Sequence, residues 1–181
     1  MAKRVYLFNE GGKDDRVLLG GKGANLCEMT SLGLPVPFGF IITTGTCREY
    51  FQAGNKLPSL LEQEYRVALD LVEKKMGARF GDPENPLLFS VRSGAPVSMP
   101  GMMNTILNLG LNDEITEGLA RRTGNPRFAY DSYRRFIQMF ADVVLDVDGN
   151  KFEHALQSYK LANSRALDVD MSTDDWREII K

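Results

Sequence analysis

Leu87 to Leu111 reads LLFSVRSGAPVSMPGMMNTILNLGL. An apolar run from Leu87 to Val91 delivers Arg92 at its end, and a loop of glycines, prolines and small side chains follows as far as Asn104. A strand that ends on an arginine, with a loop of little bulk behind it, suits an anion. The guanidinium meets the charge, and backbone N–H groups come close to it. Gly94 and Gly101 open backbone angles closed to other residues, while Pro96 and Pro100 limit how far the loop wanders. This stretch predicts a phosphate site on a strand end in a protein of mixed α and β structure.

A second basic, glycine-rich segment lies near the start, at Leu18-Leu-Gly-Gly-Lys-Gly-Ala-Asn-Leu26. The glycines come directly before Leu26, Met29 and Leu32, which have helical spacing, so Lys22 is placed at or just inside a helix N-terminus. Unpaired amides and the positive end of the helix dipole favour an anion there. The spacing is not that of a GxxxxGK[ST] loop, and alone the motif fits a solvated lysine as well as it fits an anion ligand.

Outward from these two segments, the first 111 residues alternate strands and helices. Val5 to Phe8 reads as a short strand, Gly23 to Leu32 as a helix stopped by Gly33, and Gly39 to Thr43 as a buried strand. Thr44 is expected to cap a helix carrying Cys47, Tyr50 and Phe51, and Leu60 to Met76 reads as a longer amphipathic helix ended by Gly77. After Gly110 the pattern is helical throughout: Asp113 to Arg122, then Pro126 to about Val144, Lys151 to Leu161, and a last segment capped by Ser172. The fold class is therefore α+β or α/β, with residues 1–111 as an α/β lobe and residues 112–181 as a helical subdomain. Phe128, Tyr133, Phe136, Ile137, Phe140 and Val144 fall near one helix face and are expected to be packing core. Arg127, Arg134 and Arg135 either pair with nearby acids such as Asp131 or turn toward a ligand.

Composition excludes several classes of function. With 43% hydrophobic and 25% charged residues the chain is ordinary globular protein, and a complete domain of this length would bury roughly 70% of its unfolded surface. A formal net charge of −2 gives no reason to expect nucleic acid. No apolar run approaches the roughly 20 residues that cross a membrane, and the cytosol is the expected compartment. Cys27 and Cys47 have neither CxxC spacing nor histidine neighbours, which predicts buried reduced thiols. The single histidine, His154, sits in KFEHALQSYK and reads as a helix-surface residue.

Three blocks, LLGGKGANLCEMTSLGLPVPFGFIITT, SVRSGAPVSMPGMMNTILNLGLND and TGNPRFAYDSYRRFIQMFADVV, together closely resemble the N-terminal nucleotide-binding region of the pyruvate, phosphate dikinase family. The more distant phosphoenolpyruvate synthases and rifampin phosphotransferases share the GGKG-type start and the strand ending in arginine, whereas the SMPGMMNTILNLGL loop resembles the dikinases themselves. The resemblance implies the first part of an ATP-grasp fold, in which Lys22 and Arg92 bind nucleotide phosphates and the loop from Ser93 to Thr105 folds over them. Gly94, Ser98, Met99, Gly101, Met102, Met103, Asn104 and Thr105 are thereby nucleotide contacts, with Arg92 also acting on the transferred phosphate. The family pattern has aspartate where this chain has Asn104, which removes a charge from that position. ATP is the implied cofactor together with Mg2+, whose carboxylate ligands are expected outside these residues, as are the phosphohistidine and the pyruvate and phosphate sites. The chain alone is therefore expected to be inactive and to self-associate, and a stand-alone binding or regulatory module is the alternative.

Overall fold

The computed structural model describes residues 3–94 and 105–181, which fall into two compact units. The first takes in the chain to Gly77 together with Ser93 and Gly94, and the second takes in Ala78–Arg92 and the chain from Thr105 onward.

In the first unit, β1 (Val5–Leu7) pairs antiparallel with β2 (Phe40–Ile42), with Val5 opposite Ile42 and Leu7 opposite Phe40. Helix α1 (Arg16–Ser31) lies between them in sequence, followed by α2 (Thr44–Gln52) and α3 (Leu61–Met76). The cap of α2 is Thr43, not Thr44: its extended backbone (φ −65°, ψ 154°) lets the hydroxyl accept the Thr46 N–H. Thr44 is already helical, and its hydroxyl donates to the Val17 carbonyl at 2.6 Å. Val5, Leu61 and Ala68 form the core, with Leu7, Phe40 and Tyr65 against it. Arg4 pins this unit from the side, donating to Glu49 at 3.0 Å, while the Arg4 and Val5 amides both donate to Glu64. Cys27 is buried and its thiol pKa is pushed up by burial, but Cys47 is exposed, because it lies on the outer face of α2 rather than on the face that carries buried Thr46.

In the second unit, β3 (Phe89–Arg92) and β4 (Thr105–Leu109) pair antiparallel, joined by residues 93–104. All further elements among the described residues are helical: α4 (Asp113–Thr123), α5 (Pro126–Leu145), α6 (Gly149–Ala162) and α7 (Thr173–Ile180). Their ends follow local chemistry. The Asn112, Asn125, Asp148 and Ser172 side chains each accept an amide of the first turn, and Pro126 opens α5 at a position that needs no N–H. Leu156, Met171 and Trp176 make the core, with Tyr130, Tyr159 and Ile179 packed on it. The close approach of α4 to the segment before β3 depends on Gly118, where a β-carbon would come 1.6 Å from the Pro83 carbonyl oxygen.

Both described sheets are two-stranded and antiparallel, so the α+β reading fits. The α/β alternative does not: β3 pairs with the very next strand, and β1 and β2 run in opposite directions across the helix between them. The expected aromatic core stripe of α5 is also only partly buried. Ala129, Ser132 and Ala141 are the buried residues of that helix, whereas Phe128 is 49% and Val144 50% exposed. The small residues lie where neighbouring elements approach closely, which leaves the large rings around the rim.

Candidate functional site

Lys22 lies on a helix that is broken just before it. Helical geometry begins at Arg16, but Gly20 takes φ +74° and ψ 161°, a combination essentially restricted to glycine. The break ends one short run at Leu19 and starts another at Gly21. Lys22 therefore sits in the first turn of the second run, beside the amides that a helix start leaves without intrahelical partners. The second run is held by its small face: Gly23 and Ala24 are buried, a β-carbon on Gly23 would meet the Ile41 side chain at 3.2 Å, and Cys27 below them is fully buried. Lys22 itself is half-buried.

Gly94 belongs to this same unit. A β-carbon there would lie 3.9 Å from the Leu19 carbonyl oxygen, so the start of the glycine loop runs beside the broken turn of α1. Asp15 does not compete for the helix start, since its carboxylate accepts the Gly12 N–H at 2.9 Å.

In the second unit, Arg92 is the last residue of β3, exposed, and opposite Thr105 in the ladder. The register contains a bulge. Phe89 faces Leu109 and Val91 faces Ile106, so Ser90 alone stands against Leu107 and Asn108. Asn108 is left-handed at φ +59°, and its carbonyl accepts the Leu111 N–H at 3.2 Å. Among the described residues neither Lys22 nor Arg92 has an ion-pair or hydrogen-bond partner.

Other cations singled out by sequence are committed within the fold. Arg127 donates to the Met171 and Asp168 carbonyls, and Arg134 bonds Asp131 and Gln138 and lies over the Trp176 ring at 4.9 Å. Arg135 bonds Asp131. Arg127 and Arg134 thus tie α5 to residues 168–176, whereas Arg135, 57% exposed, pairs among the described residues only within α5. His154 is exposed on α6, as a helix-surface residue should be. Ser98, Met99, Gly101, Met102, Met103 and Asn104 lie outside the described residues. Thr105 is half-buried at the start of β4.

Two positions escaped the sequence reading. The sequence reading groups Gly20 with the glycines before the helix, whereas it interrupts a helix already under way; the signal is a Gly-Gly pair directly before the lysine, of which Gly20 is the first. Asn108 stood in the TILNLGL run, where Asn-Leu-Gly inside a β pattern marks a bulge or turn. Among the described residues no group of three or more His, Cys, Asp or Glu side chains could hold a metal, and no helix is long and apolar enough to cross a membrane.

Comparison with known proteins gives one answer. Residues 16–71 match the family model for the pyruvate phosphate dikinase AMP/ATP-binding domain. The chain is 53% identical over 179 residues to pyruvate, phosphate dikinase of Clostridium symbiosum, covering 99% of this chain and 20% of that protein. It is 51% identical over 177 residues to the Entamoeba histolytica pyruvate, phosphate dikinase, covering 98% and 20%. The chloroplastic pyruvate, phosphate dikinase of Flaveria trinervia is 51% identical over 183 residues, covering 99% and 19%. The chain thus spans about one fifth of the length of these relatives. A chloroplastic relative at this identity means that kinship alone does not assign a compartment.

Proposed function

We propose, for a chain that is kin to the pyruvate, phosphate dikinases along nearly all of its own length, that it supplies the phosphate-holding part of an ATP site in a phosphotransferase of that kind. The observation that carries the reading is the break at Gly20: it places a half-buried Lys22, without a partner among the described residues, in the first turn of a helix within the region matched by the AMP/ATP-binding family model. Lys22 brings a point charge on a flexible stem to the phosphates, and Arg92 brings a planar fork of donors. Phosphoryl transfer draws most of its acceleration from positioning and from neutralising developing charge, so these two groups would do the work the protein must do. The fold is read as the first part of an ATP-grasp domain, with Gly94, Ser98, Met99, Gly101, Met102, Met103, Asn104 and Thr105 lining the nucleotide.

The whole reaction, transfer from ATP to pyruvate and inorganic phosphate, would need parts that correspond to the other four-fifths of the relatives. Mg2+ would stabilise the charge of the phosphates, and in this reading its carboxylate ligands come from elsewhere. The unpaired cysteines suit a reducing compartment such as the cytosol.

Titration of the chain with ATP, with and without Mg2+, tests the reading. Charge-assisted contacts to phosphate are worth roughly 1.5–3 kcal/mol each, so Lys22→Ala and Arg92→Ala should each weaken binding about tenfold or more while leaving circular dichroism unchanged. Unchanged affinity in both folded variants would remove the two residues from the site. Turnover of pyruvate with ATP and phosphate by the isolated chain would overturn the division of labour.

A further inference from the structure

The bulge in β4 does something for Arg92 that the strand pairing alone does not. We propose that Asn108 is a positioning residue for Arg92, whose backbone sets the direction in which the end of β3 presents the guanidinium to a nucleoside triphosphate. This rests on the reading of Arg92 as a phosphate ligand.

On one side of the bulge Phe89 faces Leu109, and on the other Val91 faces Ile106 and Arg92 faces Thr105. One extra residue in β4 separates the two sets, and without it the pairing beyond Phe89 would slip by one, setting Arg92 against Ile106. Side chains alternate faces along a strand, so such a slip also turns residues from one face to the other. Ile106 is buried and Leu107 is 44% exposed, which shows the orientation the bulge preserves. A bulge also bends its strand and increases the local twist, and twist at this point is carried to the last pair of the ladder, Arg92 with Thr105.

Asparagine is suited to the task. The bulged residue is left-handed, at φ +59°, which asparagine tolerates and β-branched residues resist. Its carbonyl is tied to the Leu111 N–H, so the turn that ends β4 and the bulge form one unit. The conformation, not a contact of the amide side chain with ligand, is what the inference requires.

The test uses Asn108→Gly, which keeps the left-handed backbone, and Asn108→Val, which resists it, each alone and combined with Arg92→Ala, with ATP as the probe. ATP affinity should stay within about twofold in Asn108→Gly and fall about fivefold in Asn108→Val. In the Arg92→Ala background Asn108→Val should add nothing, because the group it positions is gone; a merely structural effect would persist there. Asn108→Ala, with less strain, gives an intermediate loss and serves if Asn108→Val does not fold. Full affinity in folded Asn108→Val or Asn108→Ala, an equal loss in Asn108→Gly, or an undiminished loss without Arg92 would overturn the proposal. If Arg92→Ala itself binds ATP as the unsubstituted chain does, the phosphate reading of Arg92 fails first, and this inference fails with it.

Discussion

The helical body from α5 to α7 and the two segments that carry Lys22 and Arg92 treat positive charge in opposite ways. In the helical body, Lys160 is buried against Asp168, Arg134 bridges Asp131 and Asp168 while stacking on Trp176, and Arg165 meets Asp175 at 3.0 Å. Each cation is met by an acceptor from the same unit. At the turn of α1 and the end of β3 the cations are left without partners among the described residues, beside backbone that only glycine or asparagine adopts readily. Charge that the fold satisfies internally bears on stability, and in the proposed reading the charge left open at Lys22 and Arg92 serves a ligand. The two classes of substitution should therefore separate: one should move the unfolding transition, the other the affinity for phosphate.

The largest effect belongs to a position with no charge. Gly118→Ala places a methyl group where the Pro83 carbonyl already stands, so either α4 or the segment before β3 must move. Overpacking of this kind costs typically 1–3 kcal/mol, and a backbone obstacle puts this case at or above about 3 kcal/mol. Urea denaturation should show the loss, and a variant of unchanged midpoint would mean that the two segments part easily.

Asp168→Asn comes next and addresses the comparison directly. Removing one partner of a buried ion pair costs about 3–5 kcal/mol, but Asp168 is 39% exposed, so about 2 kcal/mol is expected. The hydrogen bond from Lys160, and then the nearby guanidinium charge of Arg134, hold the Asp168 carboxyl below its ordinary value; the Ser172 N–H, hydroxyl and Arg165 do the same for Asp175. A carboxyl with a lowered pKa in the folded state adds stability that is present above its unfolded value near 3.9 and is lost as the pH falls through the folded value. Stability should thus hold level above about pH 5 and fall below about pH 4. Asp168→Asn should flatten that acid limb, and an acid limb identical to that of the parent chain would take Asp168 out of the stabilising network.

Gly20→Ala should register in both columns of the comparison. The backbone there is nearly closed to alanine, and strain of this kind costs about 1–2 kcal/mol unless the chain relaxes. Relaxation would join the two runs of α1 into one helix and withdraw Lys22 from a first turn, so ATP affinity should drop along with stability. A loss of stability with affinity retained would show that the break is structural only.

Much of this was legible in the sequence wherever one residue decides locally. Ser172 as a cap, Pro126 at the start of α5, Gly77 as a helix end, and Lys22 just inside a helix all follow from groups within a few residues of one another. What could not be read depended on distant partners. Thr105 to Leu109 has no element assigned to it from sequence, because TILNL becomes a strand only when β3 pairs with it. The large side chains of α5 looked like core, yet what neighbouring elements cover is the small face of that helix. Gly20 was hidden for a related reason: a glycine before a helix and a glycine that breaks one look alike until Arg16 to Leu19 are seen to be helical.

The smallest effect is a control on the whole comparison, because it involves an exposed charge pair that belongs neither to the buried network nor to the Lys22 and Arg92 segments. Arg121 bonds Glu84 at 2.8 Å, joining α4 to the segment that Gly118 also touches, but the two side chains are 59% and 77% exposed. Exposed pairs return only about 0.2–1 kcal/mol, since water screens the attraction and two long side chains must be held still. Arg121→Ala should therefore shift the urea midpoint by a small fraction of the Gly118→Ala shift, although both substitutions act on the same junction. It should also shrink further in high salt, where the Debye length falls to about 3 Å at 1 M. A loss comparable to that of Gly118→Ala would mean that exposed ion pairs carry real structural weight in this protein. The absence of partners at Lys22 and Arg92 among the described residues would then have to be read as a cost to the fold as well as an opening for a ligand.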